Sequence, residues 1–156
     1  MYQGPIKSLV WKLKFLGVVD IARVAAKIMY QCLRLPKVNA IVPVPLHSKR
    51  FGQRGYNQAQ LISSALGELT HTPVANILTR QIHDKSQVEK TSRVQRTKFL
   101  KNQFAVHPNY HNKPLPKSVL LIDDVVTTGT TLLACAQVLK RSGVKQIHIA
   151  TLAHGY

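Results

Sequence analysis

Residues 119–131 read VLLIDDVVTTGTT, an order that few folds accommodate. Four apolar residues, Val119 to Ile122, run directly into the adjacent carboxylates Asp123 and Asp124. Two more apolar residues follow, then Thr127, Thr128, Gly129, Thr130 and Thr131, and then an apolar segment of helical period. An unbroken apolar run bounded by turn residues marks a strand buried on both faces, as in a parallel sheet. A turn of small hydroxylated residues that opens a helix gathers backbone N–H groups at the positive end of the helix dipole, where an anion is stabilised. Gly129 lets the backbone approach a phosphate closely, and the threonines add hydroxyl donors. Two adjacent acids at the end of a buried strand are costly without partners. The vicinal hydroxyls of a ribose supply two donors to such a pair, and a bound Mg²⁺ offsets its charge. The alternative, acids that cap the turn and threonines that merely begin the helix, leaves that cost unexplained. The pattern points to a sugar phosphate. It is neither a Walker A loop nor a GxGxxG turn.

The rest of the chain supplies the elements such a sheet needs. Ile6, Leu9, Val10 and Leu13 predict a short helix, and Val18, Ile21, Ala22, Ala25, Ile28, Met29 and Cys32 a second. Residues 39–45 (NAIVPVP) predict a strand that ends where prolines deny ladder hydrogen bonds. Residues 46–55 (LHSKRFGQRG) read as a polar, basic loop. Asn57 is placed to cap a helix running to about Leu69, with Leu61, Ile62, Ala65, Leu66 and Leu69 inward. Val74 to Thr79 and Phe104 to Val106 are expected as strands, separated by a nearly apolar-free loop from Gln81 to Lys98. A turn-rich stretch, HPNYHNKPLPKS, precedes a strand at 119–123. A helix over 130–142 then ends at Gly143, and a strand at 146–152 closes the crossover unit. The expected fold is α/β, a twisted, mostly parallel sheet flanked by helices. One domain spans 1–156, with residues 1–37 as a helical segment packed on it.

Charge bounds the partners. The chain carries 22 Lys and Arg against 6 Asp and Glu, a formal +16. Net charge speaks to association rather than to fold, and a polyphosphate ligand alone accounts for a local patch only. Nucleic acid is therefore a second expected partner. Cys32 and Cys135 have apolar neighbours and read as small core residues, not as a disulfide framework or zinc site. His107 and His111 have metal-like spacing but no cysteine partners and flank a proline-rich turn. No apolar run is long enough to span a membrane, and Lys12 and Lys14 break the most hydrophobic N-terminal stretch. A cytoplasmic, reducing location is expected.

The pattern of four apolar residues, DD, two apolar residues, TTG and TT resembles the phosphoribosyl diphosphate motif of type I phosphoribosyltransferases. YQGPIKSLVWKLKF at 2–15, VPVPLHSKRFGQRGYNQA at 42–59 and the terminal strand narrow the resemblance to the ComF-type competence proteins. In that family a short zinc-binding cysteine module normally stands before the segment that begins here near Tyr2. The resemblance therefore implies a transferase-like domain on its own, with no zinc in this chain. It also implies roles. Asp123 and Asp124 meet the ribose hydroxyls, directly or through Mg²⁺, and are the catalytic pair. Thr127, Thr128, Gly129, Thr130 and Thr131 hold the 5′-phosphate. The turn Pro43 to His47, with Val44, Pro45 and Leu46 at its centre, matches the pyrophosphate loop, and Lys49, Arg50 and Arg54 are its cations. The basic block from Arg80 to Lys101 matches a flap over the diphosphate, with Arg80, Lys85, Gln87 and Arg96 in the family pattern. Phe99 departs from it, standing where that family usually has Asn. Asn57 and Gln58 either cap and pack a helix or touch ligand.

Two functions follow from the resemblance and the charge. One is a phosphoribosyl diphosphate-binding protein that also binds single-stranded DNA and acts in DNA uptake during natural transformation, beside other uptake or recombination proteins. Lys12, Lys14, Arg50, Arg54 and Arg93 are its candidate DNA contacts. Tyr2, Trp11, Phe15, Phe51 and Tyr56 are either stacking faces or core. The other is an active transferase that passes the phosphoribosyl group to a nitrogen acceptor with release of pyrophosphate. The sequence identifies no acceptor pocket.

Overall fold

The computed structural model describes residues 19–81 and 103–155. Its elements are α1 (Val19–Cys32), β1 (Ala40–Pro43), α2 (Ser48–Arg54), α3 (Gln58–Thr70), β2 (Leu78–Arg80), β3 (Phe104–Val106), a 3-10 turn (Pro108–Tyr110), β4 (Ser118–Val126), α4 (Thr130–Arg141) and β5 (Gln146–His154). Among the described residues β1, β4 and β5 form a parallel sheet in the order β1-β4-β5, with β4 central. β2 and β3 pair antiparallel beside it. The expected architecture is observed.

β4 shows why its sequence is an unbroken apolar run. Leu120 and Ile122 enter a core layer with Ala25, Met29, Ile62 and Leu66 of α1 and α3. Val119 and Leu121 point the other way, into a layer with Phe104, Cys135, Val138 and Leu139. Side chains alternate across a strand, so covering both faces requires apolar residues at every position. α3 and α4 are bounded by local chemistry. Asn57 caps α3, its Oδ1 accepting from Ala59 N at 3.1 Å, and the helix ends in His71 at φ 52°. α4 is followed by Gly143 at φ 100°, a left-handed position that glycine takes without a Cβ penalty.

Several expectations need correction. Residues 48–54 are not loop but the helix α2, closed by Phe51 N→His47 O and Gly55 N→Phe51 O hydrogen bonds and stopped by Gly55 at φ 74°. Val74 makes an isolated parallel bridge to Ile41 rather than starting a strand, and the strand proper begins at Leu78. β4 runs on to Val126 instead of ending at 123, because β5 continues the ladder as far as Val126↔His154. β5 correspondingly extends to His154. Cys32 is exposed at the C-terminus of α1, whereas Cys135 is buried as expected. Leu69 is 42% exposed, off the buried stripe of α3. The helix expected at 6–13 and most of the loop from 81 to 98 lie outside the described residues.

Candidate anion-binding site

The turn from β4 to α4 forms a cavity of about 40 Å³, lined by Asp123 and by residues 125–132. One water needs roughly 10–15 Å³ on that measure, so the space suits a tetrahedral oxyanion or about three waters. Gly129 stands at the N-cap of α4 with φ 72° and ψ −2°, and it offers no side-chain cap. The first-turn amides of α4 therefore lack the side-chain partner that a serine or aspartate would provide at that position. Thr128 and Thr130 share a hydroxyl hydrogen bond of 2.9 Å across the mouth. Thr127, Thr128 and Thr130 are exposed, while Gly129 and Thr131 are half-buried.

The acids are half-buried and sit within β4, not after it. Asp123 Oδ1 accepts from Asp124 N at 2.9 Å, and Asp124 Oδ1 accepts from Val125 N at 2.8 Å. Each carboxylate is thus oriented by the next amide along. Asp123 lines the cavity; Asp124 is not among its lining residues. Cys135 of α4 is buried within electrostatic reach of Asp123. Burial pushes its thiol well above the usual range, and the Asp123 charge adds to the shift.

The loop after β1 approaches from the neighbouring strand. Val44 continues the β1–β4 pairing through Val44 N→Ile122 O at 2.9 Å, and its side chain is buried. Pro45 and Leu46 are half-buried. Asn57 Nδ2 donates to Val44 O at 2.9 Å, so one side chain both caps α3 and fixes this loop. Gln58 is buried, with Nε2 lacking a hydrogen-bond partner. Arg50 is exposed on α2, Arg54 is half-buried and engaged, and Lys49 lies on the same helix.

Arg80 completes the group. Its Nη2 donates to Gln103 Oε1 at 2.9 Å, and the guanidinium stands 5.1 Å from the Phe104 ring centroid. Burial lowers its pKa first, then the nearby Arg50 charge; Cys135 and Asp123 act in the opposite direction. Its Nε is buried without a hydrogen-bond partner. Thus α2, β2 and β4 bring Arg50, Arg80 and Asp123 within electrostatic reach of one another. Sequence reasoning missed Gln103 and Phe104 as the supports of Arg80, and the tether from Asn57 to Val44. The cap signal at Asn57 pointed to half of that residue's role; Gln103 carried no signal. Lys12, Lys14, Lys85, Gln87, Arg93 and Arg96 lie outside the described residues, as do Tyr2, Trp11 and Phe15. Phe51 is exposed and Tyr56 half-buried. Among the described residues no group of His, Cys, Asp or Glu is arranged to hold a metal by itself, and no helix is long and apolar enough to cross a membrane.

The phosphoribosyl transferase domain family matches residues 20–155. Competence protein F of Haemophilus influenzae is 33% identical over 159 residues, covering 97% of this chain and 69% of that protein. DNA utilization protein YhgH of Salmonella typhi is 32% identical over 159 residues, covering 95% of this chain and 66% of that protein. The chain spans about two thirds of the length of these relatives. Among solved structures, the glutamine phosphoribosylpyrophosphate amidotransferase of B. subtilis superposes with a TM-score of 0.62 at 13% identity, over 92% of this chain and 30% of that one, a likeness of fold. By its domain match and its 33% identity to competence protein F over 97% of its own length, the chain belongs to the phosphoribosyl transferase domain family and, within it, to the ComF-type competence proteins.

Proposed function

We propose that this chain binds phosphoribosyl diphosphate, with Mg²⁺, at the β4–α4 turn, and that it binds single-stranded DNA in the uptake and use of DNA. The observation that carries the first half is the uncapped, glycine-started turn of α4, lined with threonines and walled by Asp123. An anion there accepts from amides that have no cap. The loop held by Asn57, with Arg50 and Arg80, supports a second anionic group beside the first. Two arginines that raise each other's electrostatic energy are relieved by a shared diphosphate. Asp123 and Asp124 supply the hard oxygen donors that Mg²⁺ prefers, and their half-burial fits an ion carried in with the ligand. Asp123 and Asp124 would hold that ion, which would supply positive charge against the anionic ligand. The chain's own residues do the rest: the turn fixes the phosphate, the acids orient the ribose and the arginines face the diphosphate.

Calorimetric titration with phosphoribosyl diphosphate and Mg²⁺ tests this. Wild type gives a saturable isotherm and Asp124→Asn a much weaker one; equal isotherms remove the acids from the site. DNA handling rests on kinship with proteins named for competence and DNA utilization and on the +16 charge. The domain match favours a second reading, transfer of the phosphoribosyl group to a nitrogen acceptor. Positioning of the sugar and electrostatic stabilisation of the departing diphosphate would drive it. Pyrophosphate release across a panel of amines decides that reading: none leaves a binding protein.

A further inference from the structure

Parallel strands all begin at the same end of their sheet, and here each beginning carries a cation. Lys117 immediately precedes β4 and Lys145 immediately precedes β5, while Lys37 stands three residues before β1. The backbone locks these entrances together. Lys145 N and Gln146 N both donate to Lys117 O, at 2.9 and 3.0 Å. Asn39 N donates to Ser118 O at 2.9 Å, and Ser118 N donates back to Asn39 Oδ1 at 3.0 Å. Neighbouring strands lie about 4.7–4.9 Å apart, so the lysines spring from a closely spaced, rigid row. α4 runs back from the phosphate turn and ends with Lys140 and Arg141 on the approach to Lys145. The connecting turn is anchored by buried Leu139 and Val144.

All five side chains are exposed, and none is engaged in an ion pair among the described residues. The segments 33–39, 107–118 and 136–148 contain no Asp or Glu. Among the described residues Glu68 stands in the last turn of α3, whose core layer is on the face of the sheet opposite that of α4. Like charges gathered this way repel unless a polyanion covers them. Across the same three segments Leu33, at 40%, is the one large apolar side chain that is exposed, too little apolar surface to enter a bilayer and in favour of a hydrated polyanion. The cations are mainly lysines, point charges on flexible stems that suit phosphates rather than base edges.

We propose that this N-terminal edge of the sheet, built on Lys37, Lys117 and Lys145 with Lys140 and Arg141 beside them, binds the phosphodiester backbone of a nucleic-acid strand without regard to sequence. It lies at the far end of β4 from Asp123, about 17 Å away at roughly 3.3 Å per residue. That is about two Debye lengths at physiological salt, so the edge and the phosphate cavity are separate sites. The inference deepens the DNA half of the function proposed above and is independent of the diphosphate half.

The test is anisotropy of labelled oligothymidine titrated with wild type and with the triple variant Lys117→Gln/Arg141→Gln/Lys145→Gln over a range of salt. Each single-strand phosphate contact contributes about −0.7 to the log–log salt slope, so the triple variant is expected to lose roughly 2 units of slope and to bind more weakly at low salt. Calorimetry with phosphoribosyl diphosphate should give the same isotherm for both. If the triple variant melts early, the three single variants replace it, each expected to lose about 0.7 of slope. A wild type with a flat salt response overturns DNA binding altogether. A steep wild type with an unchanged variant overturns only this placement. Polyglutamate or anionic vesicles that compete better than the oligonucleotide overturn the nucleic-acid assignment of the edge.

Discussion

Asn57 makes the two bonds that join the loop after β1 to α3, and its substitutions separate them. Oδ1 caps the helix through Ala59 N, and Nδ2 holds the carbonyl of buried Val44. Asn57→Ala removes both. Loss of the cap costs about 1 kcal/mol, and leaving the Val44 carbonyl without its donor adds about 1–3 kcal/mol. The sum, roughly 2–4 kcal/mol, corresponds to a melting shift of very roughly 4–16 °C in a domain of this size. Asn57→Ser keeps a competent cap but cannot bridge to Val44, so it should lose only the second part. Asn57→Asp also keeps the cap, yet sets a carboxylate oxygen against a carbonyl oxygen and should fall below Ser. The expected order of stability in urea is therefore wild type, Ser, Asp, Ala or wild type, Ser, Ala, Asp. Pyrophosphate affinity should fall in all three variants, because each frees the loop. If Ser matches wild type in both measurements, the Val44 tether contributes nothing and the reasoning fails.

Gly67→Ala should destabilise by about 1–3 kcal/mol through overpacking, because its Cβ would meet Thr72 O at 2.8 Å and Val74 Cγ2 at 2.9 Å; an unchanged urea midpoint would refute that contact. Gly129→Ala meets nothing closer than Val126 Cγ2 at 4.0 Å but must hold φ 72°. It should cost about 1–2 kcal/mol of backbone strain and weaken phosphate binding by calorimetry, whereas a large loss of stability would mean a clash instead. A thiol reagent should label Cys32 quickly and Cys135 only after denaturation, since the first is exposed and the second fully buried. The folded Cys135 pKa lies above its ordinary 9.0, so the unfolded chain releases that proton first as pH rises. Stability should then fall above pH 9 by up to about 1.4 kcal/mol per unit from this group. Cys135→Ala should lack that fall, and parallel pH curves for the two proteins would exclude it.

The parts legible in the sequence were those governed by neighbours along the chain. The cap at Asn57, the strand Phe104–Val106, the left-handed stop at Gly143 and the threonine turn all follow from local chemistry. The misses came from pairing at a distance. Asp123 and Asp124 look like the end of a strand, yet β5 supplies a ladder partner as far as His154 and keeps the acids in the sheet. α2 lacks an apolar stripe and contains Gly52, so its residues read as loop. Gln103 reaches Arg80 across 23 positions, and Asn57 reaches Val44 across 13, separations at which residue type carries no message.

β4 is bonded to a strand on either side and packed on both faces. A strut held on four sides has one resting length. Ligands at its two tips would therefore add their free energies without cooperating, since neither can displace the other's contacts through it. Any crosstalk would have to travel by the outer helices, with α4 the direct route because it too spans the sheet from tip to tip.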